Sequence, residues 1–198
     1  MPAIAVIGAG GVGRTLADAL RRGGNEVVTG VRSPSEPGEG PVEEAIAGAE
    51  VVVLAIPGTA VEAFVRDHAA ALSGRMVIDA TNDLGDGHGG PMHHLDAWAR
   101  EAPGAIVFRA FNTMGVENVL APEFDGVVAD LLYCGPESHR AAAEAVIRST
   151  GLHPVRVGDT DAADVLDGVT RLWFTLAFAR GHGRHLAFRV LGGPAGPG

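Results

Sequence analysis

The chain has 198 residues, 46% of them hydrophobic and 20% charged, and its 15 basic and 24 acidic side chains give a formal net charge of −9. This composition predicts a soluble globular protein with one well-packed domain and an appendage. The negative charge disfavours binding to nucleic acid or to an anionic membrane. No apolar run reaches membrane-spanning length and the first predicted strand begins at residue 3, so we expect a cytoplasmic protein. Cys134 is the single cysteine, which excludes an intrachain disulfide and is more typical of a buried strand position than of a nucleophile.

A glycine-rich turn separates the first predicted strand from the first predicted helix. Residues 3–7 are apolar, Gly8, Gly10 and Gly13 complete the pattern G-x-G-x-x-G, and residues 14–20 have helical periodicity. In this context Gly8 permits a tight turn, Gly10 lets the backbone approach a pyrophosphate, and Gly13 lets the helix pack on the strand. The helix N-terminus would bind the phosphates, which predicts a dinucleotide site. The alternative is an ordinary strand-to-helix turn.

The second predicted strand, residues 26–33, indicates which dinucleotide binds. An acidic residue at its end would hold the ribose hydroxyls of NAD, but Arg32 stands there, followed by Ser33 and Ser35. A guanidinium group can bind two oxygens of a 2′-phosphate at once. The pattern therefore favours NADP over NAD, with a solvated loop arginine as the alternative.

Strands and helices alternate along the rest of the chain, which predicts an α/β fold of the Rossmann type with a doubly wound, mainly parallel sheet. Residues 34–41 are rich in proline and glycine and predict a loop. Only about twenty residues separate the second strand from the next one, so the usual third strand should be absent or vestigial and this connection shortened. The further strands are predicted at residues 51–56, 76–80, 105–110, 128–133 and 153–157, and the further helices at residues 42–48, 60–72, 92–101 and 136–150.

The carboxy-terminal region differs from the units before it. Residues 161–191 form a long, apolar-rich predicted helical stretch that is interrupted at Gly181 and Gly183. Because residues 164–178 are apolar around much of the helix, we expect a homodimer through this region. The expected organisation is an NADP-binding domain at residues 1–158, a helical extension at residues 159–191 that packs on this domain, on a dimer partner or on both, and a disordered tail at residues 192–198.

Three predicted strand ends would lie at the ligand-binding edge of the sheet. They are Ile56-Pro57, Thr81-Asn82 and Asn112-Thr113. Ligands of open α/β sheets bind outside the carboxyl ends of the strands, so Thr81 and Asn82 could reach the nicotinamide ribose. Asn112 and Thr113 could bind the carboxamide or the substrate and are the candidate catalytic residues. Each strand end also has an alternative without a ligand. In that alternative, Pro57 only starts a helix, Asn82 belongs to an ordinary turn, and Asn112 and Thr113 only cap the following helix.

Several of these segments together resemble one enzyme family. They are Ile-Gly-Ala-Gly-Gly-Val-Gly at residues 7–13, Gly30-Val31-Arg32, Ala55-Ile56-Pro57, Phe111-Asn112-Thr113 and Arg184-His185-Leu186-Ala187-Phe188. The chain is similar to the bacterial branch of the NADPH-dependent F-420:NADP oxidoreductases. The resemblance implies one Rossmann-type domain with a carboxy-terminal helical extension, and hydride transfer between NADP and the deazaflavin coenzyme F-420. It assigns Ala9, Gly10, Gly11 and Val12 to the phosphate turn, Arg32 to the 2′-phosphate, and Ile56 and Pro57 to the nicotinamide half. Val31 and Ser33, on either side of Arg32, are further candidate cofactor-binding residues.

This chain departs from the archaeal members of that family at three places. Asn112-Thr113 replaces a histidine-threonine pair, Val31 replaces a serine, and Ser33 stands where a second basic residue occurs. These differences concern the second substrate more than NADP. Two further functions therefore stay open, an NADPH-dependent reductase acting directly on a small imine or carbonyl metabolite and a non-catalytic NADP-binding redox sensor.

The chemistry required of the protein depends on that substrate. Hydride transfer between two stacked rings needs alignment and no acid or base, whereas an imine or carbonyl needs a proton donor. That donor could be Thr113, Asn82 acting through a water molecule, or a histidine, and the sequence does not choose among them. Trp173, Phe174 and Phe178 have the helical spacing of a core or dimer contact, and they could instead floor a flat aromatic pocket. The arginines available to the phosphate and carboxylates of F-420 are Arg109, Arg171, Arg180 and Arg184.

The histidines of the chain do not predict a metal site. His88, His93 and His94 lie near Asp86 and Asp96 in the sequence. However, adjacent histidines on a helix diverge by about 100°, and the spacing is not i, i+4. We therefore expect no metal ligands.

Overall fold

The computed structural model describes residues 2–85 and 90–192. Its strands are β1 (Ala3–Ile7), β2 (Glu26–Val31), β3 (Glu39–Pro41), β4 (Val51–Leu54), β5 (Met76–Asp79), β6 (Ile106–Arg109), β7 (Glu123–Phe124), β8 (Val127–Val128), β9 (Asp130–Cys134) and β10 (His153–Gly158). Its α-helices are α1 (Gly11–Arg22), α2 (Val42–Gly48), α3 (Val61–Leu72), α4 (Leu95–Glu101), α5 (Glu117–Leu120), α6 (Arg140–Ser149) and α7 (Ala163–Phe174).

Eight of these strands form one sheet in the order β10-β9-β6-β5-β4-β1-β2-β3. Six strands that are adjacent in the sheet, β6, β5, β4, β1, β2 and β3, all run parallel to one another. β9 and β10 are parallel to each other, and β9 joins β6 in the antiparallel direction through the pair Arg109 and Cys134. The predicted Rossmann-type fold with a mainly parallel sheet is confirmed.

The edge strand β3 is the vestigial third strand that the short connection predicted. It pairs with β2 through three residues, Glu39, Gly40 and Pro41, so the loop predicted over residues 34–41 was wrong for this last part. Pro41 is tolerated because it ends an edge strand, where a missing N–H breaks no ladder.

Both faces of the sheet are covered, as the alternation of side chains along β1 illustrates. Ile4 and Val6 belong to a core shared with α1, α6 and α7, whereas Ala5 and Ile7 belong to a core shared with α2, α3 and α4. Successive side chains of a strand point to opposite faces, so a strand buried on both sides reads as a continuous apolar run. No helix within residues 2–85 and 90–192 combines the length and the apolar character needed to cross a membrane.

The carboxy-terminal helical region is shorter than the sequence predicted. α7 continues as one π-helical turn, Thr175–Ala179, and the chain is not helical after it. Gly181 and Gly183 have φ of +74° and +77°, a left-handed conformation that ends a right-handed helix. The chain then returns to the sheet, where Asp130 N–H donates to the carbonyl of Phe188 at 3.0 Å. Prediction of helix beyond residue 180 was therefore wrong, and residues 193–198 of the predicted tail lie outside the described residues.

Candidate functional site

The glycine turn between β1 and α1 has the backbone geometry of a phosphate-binding turn. Gly8 has φ of +113°, and a Cβ on Gly13 would lie 1.9 Å from the carbonyl oxygen of Gly8. Gly10 and Gly11, by contrast, have no atom within 4 Å of where a Cβ would lie, so the space above them is open. Gly10 precedes the first turn of α1, which has no capping side chain and no acidic residue. The free N–H groups of this turn are therefore available to an anion.

The end of β2 lies beside the turn, because Gly8 N–H donates to the carbonyl of Gly30 at 3.0 Å. Val31 is half-buried, whereas Arg32 and Ser33 are exposed. Within the described part of the chain, the Arg32 guanidinium makes no hydrogen bond or ion pair, so it is available to a ligand. Arg32 thus directly follows a strand whose end lies beside the turn, which agrees with the NADP prediction.

Arg14 is a second cation near the turn that the sequence analysis did not single out. Its Nε donates to the carbonyl of Ala9 at 2.8 Å, and a terminal nitrogen lies 3.2 Å from a carboxylate oxygen of Glu36. Glu36 belongs to the loop after β2, which Glu39 fixes by accepting N–H groups of Ser35 and Glu36. The Ser35 N–H is the main cause that lowers the pKa of Glu39. Nothing in a local sequence pattern pairs Arg14 with a residue of that loop.

A cleft of about 450 Å³ opens at the carboxyl ends of the central strands. It adjoins the glycine turn, which fits the rule that ligands of doubly wound sheets bind at this edge. The predicted site residues that line it are Gly10, Gly11, Val12, Ile56, Pro57, Thr81, Asn82 and Asn112. The predicted residues that do not line it are Gly8, Ala9, Gly13, Val31, Arg32, Ser33 and Thr113.

Buried Asp79 at the end of β5 fixes the segment that leads into the cleft. One of its carboxylate oxygens accepts the backbone N–H of Thr81 at 2.9 Å and the Thr81 hydroxyl at 2.6 Å. The other accepts the indole N–H of Trp98 at 2.9 Å. With these bonds Asp79 holds Thr81 in one conformation, so the carbonyl of Thr81 and the side chain of Asn82 have defined positions.

A buried ion pair joins this segment to α7. Arg109 and Asp167 are fully buried and their charged atoms lie 2.7 Å apart. Arg109 also donates to the carbonyl of Thr81 and to Oδ1 of Asn82, both at 2.9 Å. The second carboxylate oxygen of Asp167 accepts the backbone N–H of Met92 at 2.6 Å. This network was missed from the sequence, where Arg109 was only one of several available arginines.

The segment that follows β6 contains an unusual backbone conformation. Phe111 has φ of +65°, which is rare for a bulky residue and is often found at functional sites. Asn112 follows it into the wall of the cleft, and Thr170 donates to its backbone carbonyl at 3.2 Å. Thr113 does not line the cleft and is only 1% exposed. This geometry does not support the direct contact with substrate that was predicted for Thr113.

An aromatic and cationic wall closes the cleft on the side of the carboxy-terminal region. Trp173, Phe174 and Arg184 line it. The guanidinium carbon of Arg184 lies 5.6 Å from the ring centroids of Trp173 and Phe178. Arg184 also donates to Glu117 at 2.8 Å, and this bond is the main cause that lowers the pKa of Glu117. The sequence signals for this wall were the helical spacing of the aromatic residues and the choice of Arg184 as one of the arginines available to F-420.

The histidines near the cleft are held by carboxylates. His93 Nε2 lies 3.3 Å from Asp164, and His94 Nε2 lies 3.1 Å from Asp83. The ligand-type atoms of His93, Asp164 and Asp167 lie within 4.8 Å of one another, but both oxygens of Asp167 already accept hydrogen bonds. His88 lies outside the described residues, so the predicted absence of a metal site is not tested there.

Comparison with known proteins finds the family that the sequence resembles. Residues 3–83, which include β1 to β5, match the family model described as NADP oxidoreductase, coenzyme F420-dependent. A structure from Arthrobacter sp. FB24, provisionally named an F420-dependent NADP reductase, has a TM-score of 0.82 and 26% identity, over 96% of this chain and 100% of that one. No curated protein matches the sequence.

Two more distant structures share the fold. A 3-hydroxyisobutyrate dehydrogenase from Mycobacterium tuberculosis has a TM-score of 0.71 and 19% identity, over 89% of this chain and 61% of that one. An imine reductase from Streptomyces aurantiacus has a TM-score of 0.68 and 19% identity, over 90% of this chain and 63% of that one. The family model matches the glycine turn and strands β1 to β5, and a neighbour that is covered over its full length carries the same family name. The chain is therefore similar to the F420-dependent NADP oxidoreductases, and it is an NADP-dependent oxidoreductase.

Proposed function

We propose that the protein transfers a hydride between NADPH and the deazaflavin coenzyme F-420. The observation that carries this proposal is the cleft itself, in which the strand ends expected to hold the nicotinamide share one space with an aromatic and cationic wall. A flat tricyclic ring with an anionic chain has the chemistry to bind such a wall.

The residues of the turn and of β2 would hold the NADP half of the reaction. The free N–H groups of the first turn of α1 would bind the pyrophosphate, and Arg32 with Ser33 would bind the 2′-phosphate. Ile56 and Pro57 would lie against the nicotinamide end, beside Asn82 and Asn112. When bound, the cofactor supplies the hydride, and the protein has to position it.

The side chains of the cleft favour ring-to-ring transfer over reduction of an imine or carbonyl. Among the described residues that line the cleft, Arg184 is the sole side chain with an ionisable group. A guanidinium stays protonated near neutral pH, so it can bind an anion but is a poor proton donor. Hydride exchange between two stacked rings needs alignment and exclusion of water, which an apolar, aromatic cleft provides.

Arg184 gives the proposal a test that separates the coenzyme from its ring. Arg184→Gln should raise KM for complete F-420 roughly tenfold, the effect of losing a hydrogen bond between charged groups. For the deazaflavin nucleoside, which lacks the anionic chain, KM should be the same in Arg184→Gln and in the wild type. Arg180→Gln, which changes a nearby exposed arginine outside the cleft, is the matched control.

The same assay distinguishes the competing functions. NADPH oxidation is followed with oxidised F-420 and, separately, with a cyclic imine and a small carbonyl compound. Oxidation with F-420 supports the proposal. NADPH binding with turnover of an imine alone would support the direct reductase, and binding without turnover of any acceptor would support the redox sensor.

We also propose that α7 forms a homodimer contact. Val165 and Leu172 are 55% and 48% exposed and lie two turns apart on one side of the helix, with the small residue Gly168 between them. An exposed apolar stripe of this kind is stabilised when a second copy covers it.

A further inference from the structure

We infer that Asn82 and Asn112 form a matched donor and acceptor for the primary carboxamide of the nicotinamide, and that Arg109 is the positioning residue that sets their polarity. The inference rests on the proposed placement of the nicotinamide at this end of the cleft. Both asparagines line the cleft. The sequence left Asn112 with either the carboxamide or the substrate as its partner and placed Asn82 near the nicotinamide ribose, whereas the hydrogen bonds of the two side chains define one joint role.

The orientation of the Asn82 amide follows from its bond to Arg109. A guanidinium nitrogen of Arg109 lies 2.9 Å from Oδ1 of Asn82. Because a guanidinium can only donate, the oxygen end of the amide must face it. The Nδ2 group of Asn82 makes no hydrogen bond with any described residue. Asn82 therefore offers a donor to the cleft.

The Asn112 amide has the opposite polarity. Its Nδ2 lies 2.8 Å from the carbonyl oxygen of Thr81, and a carbonyl can only accept, so the nitrogen end of the amide is fixed there. Oδ1 of Asn112 is buried and has no hydrogen-bond partner among the described residues. The residue is 3% exposed, and an unpaired buried acceptor is costly unless a ligand supplies its donor. Asn112 therefore offers an acceptor.

Arg109 makes this arrangement rigid. Its guanidinium spans the carbonyl of Thr81, the side chain of Asn82 and the carboxylate of Asp167. Turning the Asn82 amide over would place its NH₂ group against this cation and would lose a charge-assisted hydrogen bond. The polarity of Asn82 is thus set by an ion pair that is itself fully buried and anchored on α7.

A primary carboxamide is complementary to this pair. Its carbonyl oxygen accepts from Asn82 Nδ2, and its NH₂ group donates to Asn112 Oδ1. Replacing the carboxamide by an acetyl group, as in the 3-acetylpyridine analogue of NADPH, keeps the acceptor and removes the donor. The two asparagines are therefore predicted to respond differently to this analogue.

The experiment measures Kd for NADPH and for the reduced acetylpyridine analogue in the wild type, Asn82→Ala and Asn112→Ala. The wild type should prefer NADPH roughly three- to tenfold, the effect of one neutral hydrogen bond. Asn112→Ala should abolish that preference. Asn82→Ala should weaken both ligands about equally and keep the preference.

Adenosine 2′,5′-bisphosphate is the control ligand, because it lacks the nicotinamide. Its Kd should be the same in all three proteins, which shows that the adenosine half and the fold are intact. An unchanged preference for NADPH in Asn112→Ala overturns the inference, and so does unchanged NADPH binding in both variants. These binding measurements need no acceptor, so hydride transfer to F-420 could fail while the carboxamide pair is supported, or the reverse.

Arg109→Lys tests the positioning role. The lysine keeps the charge beside Asp167 but cannot reach three acceptors with a planar fork. If Arg109 acts through Asn82, then Asn82→Ala should change NADPH binding less than twofold in the Arg109→Lys background. An undiminished effect of Asn82→Ala in a folded Arg109→Lys protein would show that Arg109 does not set the orientation of Asn82.

Discussion

Replacing Arg32 with alanine should selectively weaken NADPH. The side chain is exposed and makes no hydrogen bond or ion pair with the described residues, so its removal should change the free energy of unfolding by less than about 0.5 kcal/mol. A hydrogen bond between a guanidinium and a phosphate contributes about 1.5–3 kcal/mol, which corresponds to a 10- to 100-fold increase in the Kd of NADPH. NADH lacks the 2′-phosphate, so its Kd should change less than about twofold, within the size of ordinary surface substitutions.

Fluorescence titration or calorimetry with both nucleotides measures this difference directly. Arg22→Ala is the matched control, because Arg22 is an exposed arginine at the far end of α1. The NADPH affinity of the wild type should also fall with rising salt, and Arg32→Ala should reduce this dependence. Equal losses of NADPH and NADH affinity in Arg32→Ala would refute the assignment of Arg32 to the 2′-phosphate.

Three other expectations concern the turn, the fold and the assembly. Gly13→Ala places a Cβ 1.9 Å from the carbonyl oxygen of Gly8 and should lower Tm sharply. Gly11→Ala places its Cβ in open space and should have the Tm of the wild type. A lower Tm for Gly11→Ala than for Gly13→Ala would contradict this packing. Burial alone would raise the pKa of Glu144, but hydrogen bonds from two arginines and a tyrosine hold it at about 2. The ionised Glu144 therefore stabilises the fold fully above the ordinary pKa of 4.5, and this stabilisation is lost as the pH falls toward 2. The amount by which Glu144→Gln lowers Tm should accordingly shrink as the pH is lowered. A Tm difference that does not depend on pH would contradict this. Leu172→Asp should convert a dimer to a monomer in light scattering, and an unchanged mass would exclude α7 as the contact.

The sheet could be predicted from sequence because its signals are local. Apolar runs, glycines and the short connection after β2 predicted the Rossmann-type fold, which the structure confirms. The glycine turn with Arg32 predicts the NADP end of the site. The short connection predicted an absent or vestigial third strand, but the residues that form the edge strand β3 were assigned to a loop. Glutamate, glycine and proline carry no apolar pattern, and these three residues pair only because β2 lies beside them.

The rest of the site depends on contacts between residues far apart in the chain. Arg109 and Asp167 are 58 positions apart, so no local pattern pairs them. The left-handed conformation of Phe111 breaks the alternation of the strand before it, and for this reason the sequence could not separate Asn112, which lines the cleft, from Thr113, which does not. The course of the chain after Gly181 likewise depends on its pairing with Asp130 in the sheet.

The central claim is direct hydride transfer from NADPH to a deazaflavin in this cleft, and a single-turnover experiment with isotopically labelled cofactor tests it most directly. Protein loaded with NADPH in which both hydrogens on C4 of the nicotinamide are deuterium is mixed with one equivalent of oxidised F-420. The account predicts equimolar loss of the NADPH and oxidised deazaflavin absorbances, with deuterium recovered in the reduced deazaflavin. Tight binding of NADPH with no deuterium in the deazaflavin would contradict it.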